Sequence, residues 1–212
     1  MTRLVNTAIR KSISDLGRLF RKNELAFLLL TAKSEILLRD RLAFSLEHKL
    51  RRHGLSVRRE WKRADLAIFD SQGRPAALIQ FKMMVTFDCC AEVHSNPTQY
   101  PEFLCEDLRK IRKRAESQTD LYSILFATHP LNKVPEKGSV KYARKINEAL
   151  LKYEGASRVL EECNRTIRAF FGAKRLAVVS SASLNAGKYF RVKVRMPSWI
   201  VGPVRKTQLP RH

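Results

Sequence analysis

The chain has 212 residues, enough for one α/β domain with a sizeable core, and no segment repeats at a solenoid period. Forty-one Lys and Arg against twenty Asp and Glu leave a formal charge of +21 along the whole chain, so the natural partner is a polyanion. The one long apolar run, Leu25 to Leu30, is too short to cross a bilayer, which sets a membrane partner aside in favour of nucleic acid.

From the N-terminus, Val5, Ile9, Ile13, Leu16 and Phe20 recur at helical spacing, with Arg10, Lys11, Arg18, Arg21 and Lys22 largely off that stripe. Residues 1–22 therefore read as a basic amphipathic helix, set apart from a main domain over 23–196 and a basic tail over 197–212. A mitochondrial presequence is the rival reading of the first segment. A second helix begins near Asn23 or Ser34, either of which can cap it, and runs to His53, where Gly54 suits a helix C-terminus. Its stripe is Leu38, Leu42, Leu46 and Leu50. Glu35, three residues before Leu38, falls at the inward-facing end of that stripe.

Leu55 to Trp61 reads as a strand punctuated by Arg58 and Arg59, followed by Lys62 and Arg63. Two short apolar runs come next, Ala64 to Asp70 and Pro75 to Lys82, joined by Ser-Gln-Gly-Arg; a two-residue turn at Gln72-Gly73 makes them a β-hairpin. Opposed residues then have numbers summing to 145, so Asp65 faces Gln80, and Lys82 projects from the same face one step along. Directly opposed Cβ atoms lie roughly 5 Å apart and diagonal ones roughly 7–8 Å, near enough for a carboxylate, an amide and an ammonium to share one divalent ion and one phosphate. The rest of the hairpin is apolar on both faces, with Ala67, Phe69, Ala76 and Leu78 on the polar-triplet side and Leu66, Ile68, Ala77, Ile79 and Phe81 on the other. Such a sheet needs helices on both faces.

Residues 83–100 carry no clear pattern. Pro101 to Ser117 looks helical, Leu121 to Ala127 is an apolar run fit for a central strand, and His129 to Gly138 is turn-rich. Val140 to Tyr153 and Ser157 to Phe171 are helical in pattern. Two late strands, Arg175 to Ser180 and Lys188 to Met196, flank Asn185-Ala186-Gly187, and the segment from Pro197, with three prolines, reads as extended or disordered. Basic clusters at Arg58, Arg59, Lys62 and Arg63, at Arg109, Lys110, Arg112, Lys113 and Arg114, and at Lys141, Arg144 and Lys145 suit salt-sensitive contacts to a phosphate backbone. Cys89, Cys90, Cys105 and Cys163 lack Cys-x-x-Cys spacing and read as reduced thiols of a cytoplasmic protein. Zinc at Cys89, Cys90 and His94 is disfavoured by poor chelate spacing and a missing fourth ligand.

A helix bearing an inward Glu, a strand, a hairpin with Asp on one arm and a Gln-Phe-Lys element on the other, then helix and strand, resembles the PD-(D/E)XK nuclease superfamily over about Ser34 to Thr128. The resemblance implies a restriction-endonuclease-like α/β core, a central mixed sheet flanked by helices on both faces. It also implies a metal-dependent endonuclease that hydrolyses DNA phosphodiesters. Glu35 matches the helix-borne acid, Asp65 the metal-ligand aspartate, Gln80 the first residue of the E-x-K element and Lys82 its lysine. Gln99 with Phe103 faintly resembles a Gln-x-x-x-Tyr element of exonuclease-like members. The implied ligands of Mg²⁺ or Mn²⁺ are Asp65, Gln80, the Phe81 backbone carbonyl and Glu35, with Lys82 orienting water or stabilising developing charge. Gln80 departs from the family by bringing no charge. Cleavage of RNA, or a catalytically silent nucleic-acid-binding protein on the same scaffold, are the alternatives. A homodimer joined through the Val5 to Phe20 helix is a further expectation.

Overall fold

The apolar N-terminal stripe lies on α1 (Thr2–Asp15) and the turn after it, and Val5, Ile9, Ile13 and Leu16 are fully buried in the computed structural model, which describes residues 1–32, 34–136, 138 and 140–205. α1 packs against α3 (Glu35–Leu50), where Ser12 and Ser45 share a buried hydrogen bond of 3.1 Å. Each side chain of the stripe contributes about 1.5–3 kcal/mol by leaving water. The first 22 residues are thus part of the main core, and the stripe expected to serve a dimer interface is already covered. Of the two expected starts, Ser34 precedes the helix that with its closing turn reaches His53, α3, while Asn23 precedes a separate helix, α2 (Glu24–Thr31); Ser34 donates from Oγ to the Leu28 carbonyl of α2 at 2.9 Å.

Among the described residues, six strands form one mixed sheet in the order β1-β2-β3-β4-β6-β5: β1 (Ser56–Trp61), β2 (Ala64–Phe69), β3 (Pro75–Val85), β4 (Asp120–Pro130), β5 (Val178–Tyr189) and β6 (Val192–Val204). All neighbours are antiparallel except β3 and β4, whose parallel pairing is made possible by the crossover through α4 (Gln99–Arg112). One face of the sheet packs against residues of α1, α2, α3 and α5 (Ala143–Lys152), the other mainly against α4 and α6 (Ala156–Ala173). The chain is therefore an α/β layered structure with helices on both faces.

The hairpin register holds where it matters, but by a different route. The loop is three residues, Ser71-Gln72-Gly73, closed by the Gly73 N–H on the Asp70 carbonyl, and its strand ends pair as Phe69 with Pro75. A bulge between Ile68 and Phe69 then restores the sum of 145 at Ile68 and Ala77, Ala67 and Leu78, and Leu66 and Ile79. The bulge turns Ala76 to the face opposite the one expected, where it packs with the helix α3 side.

The late strands depart furthest from expectation. Their turn is Phe190-Arg191, both left-handed (φ 46° and 61°), while Gly187 sits inside β5 at a bulge, where a Cβ would stand 2.7 Å from Asn23 Oδ1. Residues 197–204, expected to be an extended or disordered tail, are extended and complete β6: Trp199 and Val201 are fully buried, and the strand lies between β4 and β5. Burial of Trp199, Ile200, Val201 and Val204 outweighs the local prejudice of the prolines. The remainder of the expected tail, 206–212, lies outside the described residues.

Candidate active site along the free edge of β3

β3 is eleven residues long and β2 only six, so the last pairs of the hairpin stop at Leu66 and Ile79 and the amides farther along β3 face no strand. Three carboxylates replace the missing ladder partner. Asp65 Oδ2 accepts from the Phe81 N–H at 2.8 Å, Glu35 Oε2 from the Met83 N–H at 2.9 Å, and Asp88 Oδ2 from the Val85 N–H at 2.8 Å. The three amides follow one another at about 6.6 Å along the strand edge. Phe81's carbonyl points to the same edge as its N–H, because both backbone groups of an extended residue share a side.

Gln80 is 5% exposed and its Nε2 donates to the Arg63 carbonyl at 2.7 Å. That bond clamps the Lys62-Arg63 turn between β1 and β2, where both residues are left-handed (φ 46° and 75°). A glutamate here has no proton to give Arg63, which supplies a local reason for the amide. Lys82 is half-buried, and its Nζ sits 2.8 Å from Asp107 Oδ2 on α4; the other Asp107 oxygen holds Lys110 at 2.8 Å. Neither remaining oxygen of Asp65 and Glu35, nor the Gln80 Oε1, takes a hydrogen bond from the described residues.

The electrostatics follow from this crowding. Burial pushes the Asp65 and Glu35 carboxyls up, more than their backbone N–H partners and Lys82 pull them down, and Asp107 raises both further. Burial disfavours the Lys82 ammonium, yet its hydrogen bond to Asp107 and the charges of Asp107, Glu35 and Asp65 hold it above the usual lysine value. Burial also raises Asp107, but the hydrogen bonds from Lys110 and Lys82 outweigh it and leave that carboxyl below its ordinary range. Glu35, Asp65, Lys82 and Asp107 thus feel one another's charge, while Gln80, one of the four expected residues, is held on the Arg63 carbonyl. Among the described residues, no group of three or more His, Cys, Asp or Glu side chains is placed to hold a metal ion.

Sequence reasoning missed Asp107 and Asp88. Asp107 had a signal: it stands three residues after Leu104 and four before Ile111, on the buried side of a helix whose other charges are mostly basic. Asp88 accepts from a residue only three positions before it, as the acid in the first turn of the short helix Thr86–Cys89, a local capping pattern disguised by a valine at the cap.

The basic residues divide among several surfaces. Arg58 stacks over the Phe69 ring at 4.6 Å, Arg59 pairs with Asp40 at 2.9 Å, and Lys62 lies over Trp61 at 4.7 Å. On and just after α4, Arg109 and Arg112 are half-buried, while Lys110, Lys113 and Arg114 are exposed. Lys141, Arg144 and Lys145 are exposed around the start of α5, and Lys141 and Lys145 line a cleft of about 660 Å³ that also holds Glu35 and Lys82. All four cysteines are buried free thiols, with Cys90 pushed up to about 12 by burial, as suits inert packing rather than reactivity. No helix among the described residues is long and apolar enough to cross a membrane. Comparison with known proteins returns no match: no family model, no curated protein and no solved structure is similar to this chain.

Proposed function

We propose that the chain is a metal-dependent nuclease with a restriction-endonuclease-like core, hydrolysing phosphodiester bonds of DNA at the free edge of β3. The observation that carries this reading is the convergence of Asp65, Glu35, Gln80 and Lys82 on that edge, in a chain of formal charge +21. The element order α3, β1, β2, β3, α4, β4 is the one the superfamily resemblance implies, with the parallel β3 and β4 pair at its centre.

The donor set supports a hard cation. Asp65 and Glu35 each keep one oxygen without a hydrogen-bond partner among the described residues, and the Gln80 Oε1 and Phe81 carbonyl add neutral oxygens, which suits Mg²⁺ or Mn²⁺ bound through two carboxylates, waters and a substrate phosphate. Burial penalises both carboxylates, so a cation relieves them. When bound, the ion supplies charge neutralisation at the phosphoryl oxygens and a more acidic water. The chain's own residues do the rest. β3 holds Asp65 and Glu35 at fixed heights through the Phe81 and Met83 amides. Lys82 presents an ammonium whose Asp107 partner uses one of three donors, leaving two for a phosphoryl oxygen or the attacking water. Lys141 and Lys145, with the exposed cations after α4, hold the backbone of the polyanion.

A second reading, a silent nucleic-acid-binding protein, is favoured by one observation: Asp65, Glu35 and Gln80 all have structural tasks on the backbone of β3 or the Arg63 turn. Titration of the protein with Mn²⁺, followed by the loss of free-ion paramagnetic signal, separates the two. The nuclease reading predicts a bound ion that Asp65→Asn abolishes; no specific uptake by the unaltered chain favours the silent scaffold.

A further inference from the structure

The cleft that reaches Lys82 and Glu35 is more aromatic than a surface for the outside of a duplex needs to be. Its volume is about 660 Å³, within the range of sites that enclose a small ligand. Its walls carry Tyr100 and Phe103 from α4 and Tyr142 from the residue before α5. Phe103 is 39% exposed and Tyr142 53%, although aromatic rings of that size are ordinarily packed away. Tyr142 is also left-handed (φ 60°), an uncommon state for a bulky residue, and its ring lies edge-on to Phe87 with centroids 6.2 Å apart. Lys141 and Lys145 stand beside these rings, and Lys82 is also part of the lining. Two acids also line the cleft, Glu35 and Asp88, but each already accepts a backbone N–H of β3.

Exposed aromatic faces interleaved with cations are the means by which proteins hold unpaired nucleotides: the rings stack on bases and the cations take phosphates. In a duplex the base faces are stacked inside and inaccessible, so these rings have nothing to hold there. We infer that the cleft takes an unpaired nucleotide, from a strand end, a flap or a single-stranded segment, and delivers the adjoining phosphodiester to the edge of β3. This rests on the reading of that edge as the reacting centre, but the binding itself does not depend on cleavage.

The test uses the full chain without divalent ions, in EDTA, so that binding is read apart from catalysis. Fluorescence anisotropy would compare a labelled 20-nucleotide single strand, the matching blunt duplex, and a duplex with an unpaired tail, at one fixed salt concentration. The expected order places the single strand and tailed duplex tighter than the blunt duplex. Phe103→Ala and Tyr142→Ala should each weaken single-strand binding roughly 5- to 100-fold while leaving blunt-duplex binding nearly unchanged. Tyr142→Phe, which keeps the ring, should bind as the unaltered chain does, and unchanged circular dichroism guards against misfolding. A ribonucleotide strand of the same sequence assigns the sugar. Equal affinity for blunt duplex and single strand, unmoved by either alanine, overturns the inference even if the protein cuts plasmid. Aromatic-dependent single-strand binding without any cutting supports the inference and counts against the nuclease reading alone.

Discussion

Asp65 and Phe81 are joined by a hydrogen bond of 2.8 Å from a backbone amide that has run past the end of its neighbouring strand. The same carboxylate is therefore asked to finish a sheet edge and, in the proposed reaction, to hold an ion. The two roles use different chemistry and can be parted by substitution. Asp65→Asn keeps an acceptor for the Phe81 N–H and removes the charge, so it should fold with nearly unchanged stability and lose metal-dependent cutting by roughly 10²-fold or more. Asp65→Ala removes both and should also cost about 1–2 kcal/mol in urea unfolding, because the amide is left without a partner. Equal activity in Asp65→Asn and the unaltered chain would confine Asp65 to the structural role.

Asp107 acts through Lys82. Their contact is 2.8 Å, with side chains 27% and 15% exposed, so it is more than a surface pair and less than a fully buried one. Asp107→Asn should lower stability by about 1 kcal/mol and lower kcat about tenfold while KM stays near its original value, because Lys82 loses its anchor and the substrate's other contacts remain. Steady-state kinetics on a labelled oligonucleotide would read the split. A rise in KM alone would place Asp107 in substrate binding instead.

Gln80→Glu has a less obvious consequence. The substitution trades a donor to the Arg63 carbonyl, at 2.7 Å, for a buried carboxylate facing that oxygen and Asp65. Without divalent ions the variant should unfold about 1–3 kcal/mol more easily. With millimolar Mg²⁺ or Mn²⁺ much of that loss should return, since the ion binds only the folded site. Thermal melts of both proteins with and without the ion test this. A loss of stability insensitive to the ion would mean that position 80 does not face a cation.

A pH-dependent contribution to stability comes from His129, away from the candidate site. It is 1% exposed in β4, hydrogen-bonded through Nδ1 with Thr86 Oγ1 at 3.0 Å, and burial with nearby Arg195 lowers its pKa to about 4. The unfolded chain binds a proton at about 6.5, so between these values the unfolded state holds more protons and stability rises with pH. The contribution is complete above about pH 6.5 and is lost as pH falls toward 4, by at most about 3 kcal/mol. Glu35, Asp65 and Asp88, raised by burial, act in the opposite sense in the acid range, so the difference between the unaltered chain and His129→Asn isolates the effect. Urea unfolding at several pH values should show a shallower slope in the variant; identical slopes would contradict the buried neutral imidazole.

Local patterns in the sequence carried the existence of the hairpin, two short apolar runs around a Gly-containing turn, but its register rested on the turn alone, since strands apolar on both faces tolerate a slip. Even there the turn was mistaken for a two-residue loop, and the Ile68–Phe69 bulge cancelled the error before Asp65 and Gln80 were reached. What was not legible depended on distant partners. Residues 197–204 look like a tail until β4 and β5 enclose Trp199. The cleft of Tyr100, Phe103 and Tyr142 arises only when α5 is brought beside α4's first turn. The N-terminal stripe was recognised as amphipathic, but nothing local distinguished a face covered by α3 from one left for a second copy.

The central claim is that the free edge of β3 cuts phosphodiester bonds with the help of a divalent ion. Incubating supercoiled plasmid with the purified chain and Mg²⁺ or Mn²⁺, beside Asp65→Asn and Lys82→Ala, measures it directly. Nicked or linear plasmid should accumulate with the unaltered chain, vanish with EDTA, and be absent with both variants, while all three proteins still retard the DNA in a gel. Plasmid left intact by a chain that binds it and is supplied with either ion, or cutting that persists equally in both variants, contradicts the account.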